Sequence, residues 1–142
     1  MADTLTIHDL AVECRIGVFD WERAKPQTIW LDLELPIDAA KAAARDEMQD
    51  AVDYSRLVAE VREVAQSSTF NLLETLAEAS AARILEVFGV ARVRVRVKKR
   101  ALPGIDYAAV EVERVKVGRS RTTSRSPRAA RTSRAGPSAW RG

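Results

Sequence analysis

Cysteine and histidine each occur once in the 142 residues, as Cys14 and His8. A single cysteine cannot form an internal disulfide, so Cys14 is read as a small buried hydrophobe in a reducing compartment. A zinc site gathers three or four His, Cys or carboxylate ligands in one place. His8 and Cys14 have no partners at helical or C-x-x-C spacing, so no metal is expected and His8 reads as an ordinary strand residue. Nowhere do about eighteen apolar residues run together, and no membrane-spanning helix is expected. The opening MADTLTIHDL lacks a basic stretch followed by an apolar run. No signal peptide is therefore expected, and the cytoplasm is the expected compartment. Neither G-x-x-x-x-G-K-[ST] nor G-x-G-x-x-G is present, which leaves those kinds of nucleotide chemistry without support.

Acidic residues are missing altogether from one part of the chain. Residues 118–142, GRSRTTSRSPRAARTSRAGPSAWRG, hold seven Arg and no acid. Residues 1–117 hold all 20 acidic residues and the other 16 basic ones, a net of −4. The overall charge of +3 is thus a property of the tail. Poor in aliphatic side chains, the tail cannot bury enough surface to offset its chain entropy, and it is expected to be disordered. Such a charge run could touch nucleic acid or anionic surfaces without specificity, but a solvated appendage is the preferred reading.

The body, residues 1–117, alternates in ways that assign its elements. Leu5 to Val12 reads as a first strand. From Thr28 to Leu35, Ile29, Leu31, Leu33 and Leu35 point one way and Trp30, Asp32 and Glu34 the other, a second strand. Gly17 and Pro26 punctuate the turn-like stretch between them. Asp38 to Asp50, rich in alanine, reads as a short helix or irregular crossover.

Two helices follow. The first spans about Ser55–Gln66, with Asp53 or Ser55 as its cap; the second spans about Leu72–Phe88, with Asn71 as cap and Gly89 as stop. Arg92–Lys99 and Tyr107–Val117 then alternate as strands. The order β-β-α-α-β-β predicts an α+β domain in which a four-stranded antiparallel sheet carries two helices on one face. Its two open edges would be hidden if copies joined edge to edge into a β-barrel.

Four stretches stand out: IGVFDWERAKPQ, DAVDYSRL, NLLETLAE and VRVRVKKRALPG. Their order and separation resemble the dihydroneopterin aldolase family, over about residues 4 to 116. That family shows a G-V-x-x-x-E turn followed by Gln, a D-x-V-x-Y element, an L-[IL]-E-x-[LV]-[AG]-E helix start, and a strand ending in a lysine near prolines. The helix start is the most specific match. The usual Lys-Pro is here Lys99–Arg100, with the next proline at Pro103.

Alternation sets Lys99 on the face of Val93, Val95 and Val97, at the end of the apolar stripe, and sets Lys98 on a basic, solvated face. By itself Lys99 reads rather as a strand-end lysine snorkelling to water. Glu74 by itself could be no more than an acid favoured by a helix start, Glu22 a surface loop acid, and Tyr54 an amphipathic residue at a helix entrance.

The resemblance implies more for each. Lys99, Tyr54 and Glu22 become the catalytic set. Glu74 anchors the amino edge of a pterin with help from backbone groups of Leu73, and Val18 and Val52 line the ring faces. Tyr54 would enter the pocket of a neighbouring subunit. Gln27 and Asp53 would hold loops in place. The implied reaction is metal- and cofactor-free acid–base cleavage of 7,8-dihydroneopterin in folate biosynthesis. The implied assembly is a homo-oligomer, a tetramer or an octamer of two stacked rings, with pockets between subunits.

Related pterin and purine enzymes of the same plan use zinc, which the ligand-poor sequence does not support. Two alternatives stay open. An epimerase acting on dihydroneopterin or its triphosphate would use the same residues, with Arg100 as a candidate anion partner at the pocket mouth. A non-catalytic binding protein would act through the basic tail.

Overall fold

The computed structural model describes residues 3–100 and 102–117. The expected disordered tail lies outside the described residues.

Strand β1 (Asp3–Ile16) runs antiparallel to β2 (Gln27–Ile37). Its register shifts between Ile7 and Leu10, where Asp9 takes a positive φ of 53°. This bulge has a reason in the sequence. Leu5 and Ile7 sit at odd positions and Leu10, Val12, Cys14 and Ile16 at even ones, so a regular strand would expose one set. The extra residue swaps the parity, and both sets pack on the core. In β2 the alternation holds as expected: Ile29, Leu31, Leu33 and Leu35 are fully buried.

A short helix α1 (Asp20–Arg23) lies in the β1–β2 turn. The alanine-rich segment forms α2 (Ala39–Arg45), capped by the Asp38 side chain, and then a 3-10 turn (Met48–Asp50). Helix α3 (Tyr54–Gln66) is capped by Asp53, whose carboxylate accepts the N–H groups of Ser55 and Arg56. Helix α4 (Leu73–Phe88) ends at Gly89 in the left-handed conformation, as expected. Its start differs from expectation. Leu72 rather than Asn71 is the capping residue, and no side chain caps the first amides.

The sheet is mixed and has five strands, where a four-stranded antiparallel one was expected. Its order is β3-β1-β2-β4-β5, with β3 (Thr69–Phe70), β4 (Arg92–Lys99) and β5 (Ala108–Val115). The four expected strands pair antiparallel, and β3 adds a parallel pairing of Arg15 with Thr69 and Ile16 with Phe70. Two residues are too few to show a period of two, so β3 is invisible as a pattern. It forms because the link between the helices runs beside the end of β1, with Phe70 buried there.

Helices α3 and α4 cover one face of the sheet. Leu57, Val61, Leu76, Ala77 and Ile84 meet Leu31, Leu33, Val93, Val95 and Val97 in one core. Among the described residues the other face carries charged side chains and no helix. Among the described residues β5 pairs only with β4, so the sheet of the single chain keeps open edges and is not a closed barrel. No helix among them is long and apolar enough to cross a membrane.

Candidate active site

The β1–β2 turn is tied down from several directions. Gln27 Nε2 donates to the Ile16 carbonyl (2.7 Å), and Arg23 Nη1 donates to the carbonyls of Gly17 (2.7 Å) and Val18 (2.9 Å). Arg15 reaches the Ala24 carbonyl from below. Within this frame Glu22 folds back over Gly17. A Cβ at Gly17 would lie 2.4 Å from Glu22 Cβ and 2.6 Å from Oε1, so only glycine leaves room for the carboxylate there.

Glu22 divides its two oxygens. Oε1 accepts the Phe19 N–H at 3.0 Å, and Oε2 accepts Lys99 Nζ at 3.0 Å across the end of the sheet. The Phe19 N–H first and the Lys99 ammonium second hold the Glu22 carboxyl below its usual range. Both side chains are largely shielded, with 14% of Lys99 and 18% of Glu22 exposed. Lys99 therefore sits where alternation placed it, at the end of the valine stripe.

The small strand β3 brings the rest. Gly17 N–H donates to the Phe70 carbonyl at 3.0 Å, which pins the start of the β1–β2 turn against the segment entering α4. Glu74 and Leu73, in the first turn of α4, thereby face the Glu22–Lys99 pair. All four line one cavity of about 290 Å³, together with Val18, Gly17, Phe19 and Leu72. Such a volume is at the small end of ligand sites. Its uncapped helix start adds free N–H donors to one wall.

Two predicted site residues stand apart from this cavity within the chain. Tyr54 is the first residue of α3 and 57% exposed. Val52 is half-buried and packs against the core. Neither lines the cavity of its own chain. Phe19, Ile16, Asn71 and Leu72 also line it, although the sequence offers none of them as a site residue. Their only signal was proximity to Gly17, Glu22 and Glu74.

Two expectations next to Lys99 are overturned. Lys98 is not on a solvated face. It is 7% exposed, and its Nζ donates to the carboxylates of Asp9 and Asp32. Burial works to lower its pKa, but the two carboxylates outweigh it and the net shift is upward. Arg100 is not at the pocket mouth. It leaves the strand on the helix-free face, where its guanidinium lies 4.8 Å from the Trp30 ring and Nη2 meets Asp9 Oδ1 at 3.1 Å. Alternation turns both away from Lys99, and the Asp9 and Asp32 carboxylates on that face are what take Lys98 out of solvent.

An apolar rim surrounds the cavity. Val18, Phe19, Trp21 and Leu72 are all exposed, with Trp21 at 74% and its ring stacked on Phe19.

Comparison with known proteins identifies the family. Dihydroneopterin aldolase of Methylorubrum extorquens is 36% identical over 118 residues, covering 80% of this chain and 91% of that protein. Dihydroneopterin aldolase of Streptomyces coelicolor is 37% identical over 101 residues, covering 71% and 85%. The solved structure of Escherichia coli dihydroneopterin aldolase in complex with neopterin superposes with a TM-score of 0.76 at 32% identity, covering 79% of this chain and 98% of that one. Residues 5–114, from the first strand through nearly all of β5, match the dihydroneopterin aldolase (FolB) family model, and with them every element that builds the cavity. The chain belongs to the dihydroneopterin aldolase family.

Proposed function

We propose that this protein cleaves 7,8-dihydroneopterin between C1′ and C2′, releasing glycolaldehyde and leaving 6-hydroxymethyl-7,8-dihydropterin for folate biosynthesis. The observation that carries this reading is the shared cavity. A carboxylate at a helix start, Glu74, faces a shielded carboxylate–ammonium pair, Glu22–Lys99, in a chain of this family. A pterin needs both ends. Its amino edge offers two neighbouring N–H donors that one carboxylate can accept together, each such charge-assisted bond contributing about 1.5–3 kcal/mol when water is excluded. Leu73 backbone groups complete that grip, and Val18 meets an apolar face of the ring.

The chemistry follows from the ring itself. A base takes the proton of the 2′-hydroxyl, the C1′–C2′ bond breaks, and its electrons flow into the C6=N5 imine as N5 gains a proton. Glycolaldehyde departs, and the resulting enamine is protonated at C1′ as N5 gives its proton back. No metal and no Schiff base take part. Lys99 is the main acid–base group, Glu22 orients the side-chain hydroxyls, and proton transfer of this kind contributes about 10²–10⁴-fold.

Tyr54 and Val52 serve the pocket of a neighbouring copy, Tyr54 as a proton relay and Val52 as part of the apolar lining. The exposed rim of Val18, Phe19, Trp21 and Leu72 is the surface a neighbour would cover, and the open sheet edges would join copies into the barrel of a tetramer or octamer. A monomer in light scattering would overturn that assembly. Residues 1–117 form the catalytic domain and 118–142 an appendage, so a chain cut after Val117 should keep its turnover. The buried free thiol of Cys14 fits a cytoplasmic setting.

Incubation of the purified protein with 7,8-dihydroneopterin, followed by identification of products, tests the reading directly. Glycolaldehyde and the hydroxymethyl pterin are expected. Recovery of an epimerised side chain alone, or of unchanged substrate, refutes it.

A further inference from the structure

Lys99 is flanked by two cations that the structure sends the other way. On the helix-free face, Lys98 Nζ and Arg100 Nη2 both donate to one atom, Asp9 Oδ1. Asp32 shares Lys98 at 3.1 Å and accepts the Asp9 N–H at 2.8 Å. The Tyr107 ring lies 5.6 Å from Lys98 Nζ and 5.6 Å from the Arg100 guanidinium, and Trp30 stacks beneath Arg100. His8 stands at the margin, 3.7 Å from Asp32.

Asp9 reaches this spot only because of the β1 bulge. Its left-handed backbone is uncommon outside glycine, asparagine and aspartate, and bulges re-aim side chains in this manner. The pairing of β4 with β5 ends at Lys99 and Ala108, so the sheet ladder does not hold Arg100. In the family pattern a proline follows the lysine and stiffens the strand end by its own ring. Here the residue is Arg100, and its constraint comes from contacts.

We propose that Asp9 is a positioning residue for Lys99. By holding Lys98 and Arg100 on the helix-free face, it sets the rotation of the strand end and keeps Lys99 Nζ against Glu22 in the cavity. This role rests on the aldolase reading for its effect on turnover, but not for its effect on the Lys99 side chain.

Asp9→Asn tests it, because asparagine accepts the same backbone conformation and nearly the same volume while losing the charge. Two readouts are taken: steady-state kinetics with 7,8-dihydroneopterin, and the acylation rate of each lysine by acetic anhydride, followed by mass spectrometry. The expected result is a fall in kcat of about tenfold with KM held within about twofold, the mark of a misplaced group rather than a lost binding contact. Lys99 should acylate several-fold faster, with Lys25, Lys41 and the urea midpoint unchanged.

Wild-type kcat and wild-type Lys99 acylation in the variant overturn the proposal. So does general acceleration of all lysines with a lowered midpoint, which marks a merely structural contact. If the native protein cleaves no substrate but Lys99 acylation responds as described, the aldolase reading falls and the positioning role stands. Should Asp9→Asn not fold, Arg100→Gln breaks the same contact from the strand end and is read identically.

Discussion

Along β4, the side chains at 93, 95 and 97 and those at 92, 94 and 96 live in different media. Val93, Val95 and Val97 are wholly buried under α4, and the stripe they form delivers Lys99 to the cavity. Arg92, Arg94 and Arg96 lie on the opposite face among Glu34, Glu111 and Glu113, in ion pairs of 3.2–3.7 Å that stay partly exposed. Packing stabilises the first face, at about 1.5–3 kcal/mol per fully buried aliphatic side chain. Exposed pairs contribute about 0–1 kcal/mol each, because water and salt screen them. One face therefore holds the fold and aims the chemistry, while the other sets charge and register. The exception lies just behind Lys99, where Lys98 is buried although its partner Asp9 stays open to solvent.

The most severe way to break the contrast is at its end. Lys99→Ala should lower turnover by about 10²–10⁴-fold while the dissociation constant for a pterin stays near wild type. Unchanged turnover would remove Lys99 from the mechanism. Next, Leu33→Ala on the buried face should cost about 2–5 kcal/mol in urea unfolding. Glu74→Ala, at the far wall of the cavity, should weaken pterin binding by about 100-fold or more, the equivalent of two charged hydrogen bonds at the low end of their range. A dissociation constant that does not move would rule out the anchor. Arg94→Ala should shift stability by no more than about 1 kcal/mol despite its three acidic neighbours. A loss matching that of Leu33→Ala would show that the two faces are not so different.

The smallest expected effect concerns acid. The Glu22 carboxyl is depressed in the folded chain, so its stabilising contribution is complete above the ordinary glutamate pKa of 4.5 and is lost as pH falls through the lower folded value. Urea midpoints of the native protein and of Glu22→Gln should therefore differ at pH 6 to 7 and begin to converge only as pH falls below about 4.5. A gap that stays constant through that range would mean the pair with Lys99 carries no linked stability.

Much of this was legible in the chain itself. Period-two alternation in β2 and β4, helical spacing in α3 and α4, the Gly89 stop and, of the two caps offered, Asp53 all hold in the structure, because each depends on neighbours close in sequence. The placement of Lys99 on the valine face was legible for the same reason. The β1 bulge was present as a parity switch between Ile7 and Leu10 but needs the partner strand to show its meaning. Lys98 and Arg100 were read as solvated or pocket-facing because nothing local reveals Asp9, about 90 residues away, as their partner.

Sequence alone determined the order of the four long strands and the two long helices, which apolar side chains those elements turn inward, and the family to which those motifs point. Only the tertiary structure decided that Thr69–Phe70 becomes a strand, that this strand draws Glu74 up to the Glu22–Lys99 pair, and that Glu22 can fold over Gly17. The reason is range: side-chain direction follows from dihedrals a few residues long, whereas a cavity is made by backbone contacts between segments that the chain keeps far apart.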